Sequence, residues 1–225
     1  YRSWFPKSNR SNSTTLWWPV QLWGQLVLKK LISVYITSFN KSFFLSEAIE
    51  SVLSQTLKPY ELIIVDDAST DNSRDIIDGY KNRYPDIIKV LHNDKNLGIS
   101  RTRNRALEIC SGDLVTFLDA DDYFYPKKLE FESNILKNKN ADVVYSNFNY
   151  VNENNTVIGS FSSKDDTPAQ GNIFCQTISK KYGVSSGNNY IYEMFYKACL
   201  NEIGNYDEKI KIWEDWDLRI RMSKD

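Results

Sequence analysis

Asp119-Ala120-Asp121-Asp122 is the stretch of this 225-residue chain whose residue types and spacing are best suited to chemistry. Two carboxylates separated by one residue can turn from an extended backbone toward one point, where their repulsion must be offset by a cation. Hard oxygen donors in small number suit Mg2+ or Mn2+ holding a phosphate, whereas zinc would want His or Cys. The plain alternative is a solvated turn, since aspartate is favoured there for its local hydrogen bonds. A second acid stands in Trp213-Glu214-Asp215-Trp216, with Leu218 and Met222 following at helical spacing. Asp215 is therefore expected in the first turn of a helix, either as a partner of the helix dipole or as a general base. His92 is the only histidine and no partner for it is visible, so Ser or Cys nucleophile chemistry is not expected and His92 reads as a loop or strand-end residue.

These acids need a scaffold. Leu114 to Leu118 is short, apolar and bounded by Ser111-Gly112-Asp113, as a buried strand of a parallel sheet would be. Further strands are expected at 31–37, 61–65, 87–91 and 141–146. Helices are expected near 44–56, at 72–83 with Asp71 or Asn72 as cap, at 99–110, and after Pro126 with Leu129, Ile135 and Leu136. This alternation makes an α/β fold with a mostly parallel sheet and right-handed crossovers. Ligands bind such sheets beyond the carboxyl ends of the strands. The polar clusters at Thr37–Asn40, Asp66–Asp67 and Asp119–Asp122 all fall there, on one edge. From Val151 to Gln170 the chain turns polar and reads as a hairpin and loops, and Gly204-Asn205-Tyr206-Asp207-Glu208 reads as a turn.

Composition narrows the class. Lys and Arg number 28 and Asp and Glu 29, a net charge of −1, so no phosphate-neutralising face for nucleic acid is suggested. Cys110, Cys175 and Cys199 have neither even count nor paired spacing, which argues against a disulfide framework or zinc knuckle. Residues 1–30 differ from the rest. Trp17, Trp18 and Trp23 lie before Lys29-Lys30, a pattern that suits either a membrane surface, through residues 16–30, or packing on the domain, and Pro19 and Gly24 interrupt a clean amphipathic helix. No run of 18 apolar residues exists and the amino-terminal stretch lacks the order of a secretory signal. A cytoplasmic setting is expected, with 16–30 as the candidate contact to the inner face of the plasma membrane.

Taken together, Ile36-Thr37-Ser38-Phe39-Asn40, Ser54-Gln55-Thr56, Ile63 to Asp71, Asn96-Leu97-Gly98 with Arg103-Asn104, Asp119-Ala120-Asp121-Asp122 and Trp213-Glu214-Asp215-Trp216 resemble the inverting glycosyltransferases of family 2. The match runs from about Ile32 to Arg221. The resemblance implies a GT-A, Rossmann-like three-layer sandwich over 31–225, with a nucleotide-binding half at 31–146 and an acceptor-side half at 147–225. It implies Mn2+ or Mg2+ as cofactor, a nucleotide-diphospho-sugar donor, and a glycan, glycolipid or glycoprotein acceptor. By position it puts Thr37 and Phe39 around the base, where the family usually has a stacking tyrosine; Phe39 keeps the ring and loses the hydroxyl contact. Asp67, with Asp66, would accept from a uracil imide, favouring uridine or thymidine. Arg103 would lie near base or phosphate, with Arg101 and Arg105 as solvated helix positions. Asp121 would ligate the metal, Asp119 would touch ribose or metal, and Asp215 would be the base.

Rival readings are weaker on the residues. A sugar-phosphate nucleotidyltransferase would want a Gly-rich loop after the first strand, and Ser38-Phe39-Asn40-Lys41-Ser42 has no glycine. A receiver-like signalling domain would be about half this length, with its acids after the first strand. A catalytically inactive nucleotide-sugar-binding module of the same fold stays open, though Asp119, Asp121 and Asp215 are all present. The chain stops at Asp225 inside the last expected helix, so a further carboxyl-terminal part is expected.

Overall fold

The computed structural model describes residues 30–139, 141–162, 171 and 193–223. The aromatic-rich stretch at 16–29 lies outside them. Ile32–Ser38 (β1), Glu61–Asp66 (β2), Ile88–His92 (β3) and Leu114–Asp119 (β4) are parallel neighbours. With Val143–Tyr145 as β5 and Glu193–Tyr196 as β8, the sheet has six strands among the described residues, in the order β3-β2-β1-β4-β8-β5. Asn149–Val151 (β6) and Val157–Ser160 (β7) form a separate antiparallel hairpin, as the polar stretch suggested.

β1, β2 and β4 are apolar on both faces because helices cover both. On one side Val34, Ile36, Leu62 and Ile64 pack against Ser42–Leu53 (α1), Ser73–Arg83 (α2) and Lys128–Lys139 (α4). On the other, Tyr35, Ile63, Val65 and Phe117 pack against Ile99–Ile109 (α3), Cys199–Ile203 (α5) and Glu214–Met222 (α6). In α1 the buried residues Leu45, Ala48, Ile49 and Val52 recur at the spacing of one helical face.

Several expected boundaries move for local reasons. The first helix ends at Leu53, not 56, because the Gln55 side chain leaves it to donate to Ser51 O and Tyr125 O and to accept from Leu129 N. Of the three apolar residues that marked the helix after Pro126, Leu129 and Leu136 are buried and Ile135 is exposed. β8 was not anticipated. Its four residues sit antiparallel between β4 and β5, so the sheet's last two neighbours are joined through a strand from far along the chain. Asn72 is the N-cap of α2 without a side-chain bond, and Asp71 does the capping: its carboxylate accepts from Ser73 N at 3.0 Å and from Ser42 N at 2.9 Å, fixing the starts of α2 and α1 together. No helix among the described residues is long and apolar enough to cross a membrane.

Candidate active site

The parallel register levels the strand ends. Thr37 lies opposite Asp119, Ser38 opposite Asp66, and Asp66 opposite His92. The three polar clusters therefore leave the sheet along a single edge. Backbone strain gathers at the same edge: Asn40, Ala68 and Trp213 hold φ of 54°, 62° and 70°, a region that L side chains visit only when the surroundings enforce it.

Asp66 and Asp67 have different work. Asp66 is fully buried; its carboxylate accepts from Arg74 Nε at 2.8 Å and from Ser69 N, while Arg74 Nη2 donates to Asn93 O. Asp67 turns the other way. Its Oδ1 accepts from Asn93 Nδ2 at 2.7 Å and Leu97 N at 2.8 Å, and its Oδ2 from Gly98 N at 3.0 Å, which folds the 93–98 loop over the edge. Gly98 takes φ 85° there, a conformation glycine adopts at little cost. Thr37 is half-buried at the end of β1, and the Phe39 ring is 44% exposed just beyond it. His92 has a partner that the sequence did not reveal, Asp78, at 2.9 Å.

A buried charge cluster ties the acids of β4 to those of α6. Arg103 on α3, only 5% exposed, donates from Nη2 to Asp119 Oδ1 at 3.1 Å and from Nη1 to Glu214 Oε1 at 2.9 Å, over the ring of Phe117. Burial works against its charge, but Tyr206, Asp119, Tyr35 and Glu214 outweigh that and hold the guanidinium above its ordinary value. Burial raises the carboxyl of Glu214, with Arg103 opposing. Asp215, one residue on, pairs with Arg219 Nη2 at 2.8 Å; Arg219 Nε in turn donates to Glu193 of β8 at 3.2 Å. Burial raises Glu193 as well, again against its arginine. The expected first-turn position of Asp215 is what the helix shows, with Glu214, Asp215 and Asp217 all in the turn where the dipole favours acids.

Glu214, Arg219, Glu193 and Lys41 escaped the sequence reading; Arg219 lies one helical turn after Asp215, a spacing that could have flagged it, while the partners of Glu214, Glu193 and Lys41 lie far off in the chain. Arg105, expected in solvent, is half-buried and donates to Asn93 Oδ1. Arg101 is exposed and pairs with Glu208.

Asp121 is exposed just past β4, and Lys41 Nζ from the loop after β1 sits 2.6 Å from its Oδ2. No group of three or more His, Cys, Asp or Glu able to hold a metal occurs among the described residues. The pair Asp119 and Asp121 fits a cation only as a partial shell of hard oxygens, the arrangement by which Mg2+ is held when phosphates and waters complete it. The ammonium of Lys41 shows that the position already favours positive charge. Beside Asp121 opens a cavity of about 830 Å3 between the start of α1, residues 121–128, α4 and the β6–β7 hairpin.

Comparison with known proteins agrees with this fold. The chain is 36% identical over 132 residues, 58% of its length and 50% of the relative's, to the UDP-Glc:alpha-D-GlcNAc-diphosphoundecaprenol beta-1,3-glucosyltransferase WfgD of Escherichia coli. Its fold matches the crystal structure of S. aureus TarS 1-349 in complex with UDP-GlcNAc, with a TM-score of 0.63, 23% identity, and coverage of 85% of this chain and 53% of that one. It also matches the mannosyltransferase PcManGT from Pyrobaculum calidifontis in complex with GDP-Man and Mn2+, with a TM-score of 0.59, 15% identity, and coverage of 86% and 52%. The chain thus spans about half the length of WfgD, of the TarS 1-349 fragment and of the PcManGT chain. The family described as Glycosyl transferase family 2 matches residues 33–195, and the chain belongs to that family.

Proposed function

We propose that the protein is a metal-dependent glycosyltransferase that moves a sugar from a uridine-diphospho sugar to a hydroxyl of a glycan, glycolipid or glycoprotein, with inversion at the anomeric carbon. One observation carries the reading: Arg103 joins Asp119, at the end of β4, to Glu214, the neighbour of Asp215, so α6 starts beside the strand-end acids. The names of WfgD, with its UDP-Glc donor, and of the TarS complex with UDP-GlcNAc support the choice of uridine.

Each residue then has a task. The exposed Phe39 ring offers a face to the base, beside Thr37. Asp67 Oδ2 accepts a single bond, from Gly98 N, so the same oxygen can accept from the uracil imide. Asp66 keeps the turn in place through Arg74 and Ser69 and acts on the nucleotide only through it. Asp119 and Asp121 would hold Mn2+ or Mg2+, which supplies Lewis-acid neutralisation of the leaving diphosphate. Arg103 fixes the angle of Asp119 from beneath. Asp215 takes the proton of the acceptor hydroxyl as its oxygen bonds to the anomeric carbon from the face opposite the diphosphate. The bond from that carbon to the phosphate oxygen breaks, and uridine diphosphate leaves with its electron pair.

Calorimetric titration of uridine diphosphate, with and without Mn2+, into the protein and its Asp121→Ala variant tests this. Binding that needs both the cation and Asp121 is expected. A folded protein that binds no uridine diphosphate under either condition would remove the assignment.

A further inference from the structure

We propose that the cavity beside Asp121 is a saccharide-binding cleft and that the acceptor lying in it is an uncharged sugar chain. This rests on the glycosyltransferase reading and names what that site works on.

The walls carry aromatic rings in unusual number and exposure. Phe43 and Phe44 open α1 in edge-to-face contact at 4.8 Å, Tyr123 and Tyr125 follow Asp121, and Phe131 comes from α4. Phe43 is 84% exposed and Phe131 61%. Leaving such rings in water forgoes the stabilisation that burial of an aromatic side chain ordinarily supplies. Contiguous exposed apolar groups rimmed by polar ones mark a site of interaction. The rim here is made of amides and carboxylates: Asn147, Asn149, Asn152, Asn155 and Glu153 line the same cavity. A sugar ring has this two-sided character, with an apolar C–H face to lay on an aromatic ring and hydroxyls that both donate and accept at its edge.

The cleft is also pre-formed. Asn155 Nδ2 donates to Glu47 Oε1 at 3.0 Å and Asn149 Nδ2 to the Tyr125 hydroxyl at 2.9 Å, so the β6–β7 hairpin is tied to α1 on one side and to the loop after β4 on the other. Walls held in this way lower the ordering cost of binding. Asp119 and Asp121 line the cleft, so a sugar chain in it lies against the candidate metal site.

Charge selects among the occupants. Glu47, Asp119, Asp121, Asp122 and Glu153 stand against Lys127 and Lys128; Lys128 is paired with Glu132 at 2.5 Å, Asp121 with Lys41 at 2.6 Å, and Asp119 with Arg103 at 3.1 Å, an arginine shared with Glu214. A divalent cation at the Asp119 end would still leave no positive excess. A phosphate-bearing polymer wants an excess of arginines or lysines. An acyl chain wants a lining without this many carboxylates and amides.

The test is saturation-transfer NMR with four neutral disaccharides, cellobiose, maltose, lactose and N,N′-diacetylchitobiose, alongside ribitol 5-phosphate, on the full chain and on Phe43→Ala and Phe131→Ala. Both side chains are exposed, and thermal melting confirms that the variants fold. Transfer to the ring C–H protons of at least one disaccharide is expected, about tenfold weaker in each variant, with uridine diphosphate affinity unchanged. No transfer to any disaccharide from a protein that binds uridine diphosphate overturns the proposal, as does transfer equal in the variants or stronger for ribitol 5-phosphate. Self-association in sedimentation that is lost in Phe43→Ala would assign the rings to a second copy and also overturn it. Disaccharide binding without uridine diphosphate binding would leave the cleft standing and remove the glycosyltransferase reading.

Discussion

The Arg103 guanidinium and the Glu214 carboxylate meet at 2.9 Å although 111 positions separate them in the chain. The contact welds α3 to the start of α6, and the other arm of the same guanidinium reaches Asp119 at 3.1 Å. Removing one partner of a buried pair strands the others, which costs about 3–5 kcal/mol; Asp119 is about a third exposed, so the lower end applies here. Arg103→Ala is therefore expected to lower the denaturation midpoint by an amount equivalent to about 3 kcal/mol and to weaken uridine diphosphate binding with it. Arg103→Lys keeps the charge but loses the fork that serves two acids, and falls between. A stable Arg103→Ala variant with wild-type binding would show that the cluster is not what orients Asp119.

A pH dependence is expected from Asp71. Burial acts to raise its carboxyl, but hydrogen bonds from Ser73 and Ser42 prevail and bring it from 3.8 to about 2. The folded value lies below the unfolded one, so this contribution to stability is complete above about pH 4 and lost as the pH falls through 2. The stability difference between wild type and Asp71→Asn should accordingly shrink between pH 7 and pH 2.5 in denaturant titrations. An unchanged difference would mean that the two helix starts are held by something else.

Gly112 has no room for a side chain. A Cβ there would lie 2.7 Å from Leu31 O and Ser33 Oγ and 2.8 Å from Ser33 N, and two of these are backbone atoms of a buried strand and its entry. Gly112→Ala is expected to cost about 1–3 kcal/mol, which for a domain of this size is about 2–4 °C in Tm per kcal/mol. Because Gly112 lies at the end of the sheet away from the acids, nucleotide binding of the folded variant should match wild type. A melting temperature within a degree of wild type would mean that the strand entry yields.

Such contrasts explain what could be read beforehand. The runs Ile32 to Thr37, Leu62 to Val65 and Leu114 to Leu118 are mostly apolar and buried, so composition announces strands between helices, and acids end the second and third. β8 has only four residues and opens with a buried glutamate, so hydropathy gives it no strand signature. Asp66 and Asp67 look alike in sequence, yet one is sealed by Arg74 and the other holds the 93–98 loop, because successive side chains leave a strand on opposite faces. Trp213 has a left-handed backbone, which no sequence rule assigns to tryptophan.

The proposed base gives the last prediction. Asp215→Asn should lower transfer by about 10²–10⁴-fold, the usual worth of a positioned base, while uridine diphosphate binding persists. Asp215 does not stand alone: Arg219 holds it at 2.8 Å, and Glu193, reached by Arg219 at 3.2 Å, holds the arginine from β8. In Glu193→Ala the guanidinium loses its second anchor, and the carboxylate it carries loses its aim. Turnover is then expected to fall about tenfold or more with the uridine diphosphate dissociation constant unchanged, since misplacement of a reacting group acts on the chemical step. Glu193→Gln keeps an oxygen for Arg219 Nε and should recover most of that loss. A fall in turnover and nucleotide binding together, with no recovery in Glu193→Gln, would reduce Glu193 to a part of the core, and wild-type turnover in Asp215→Asn would move the base elsewhere.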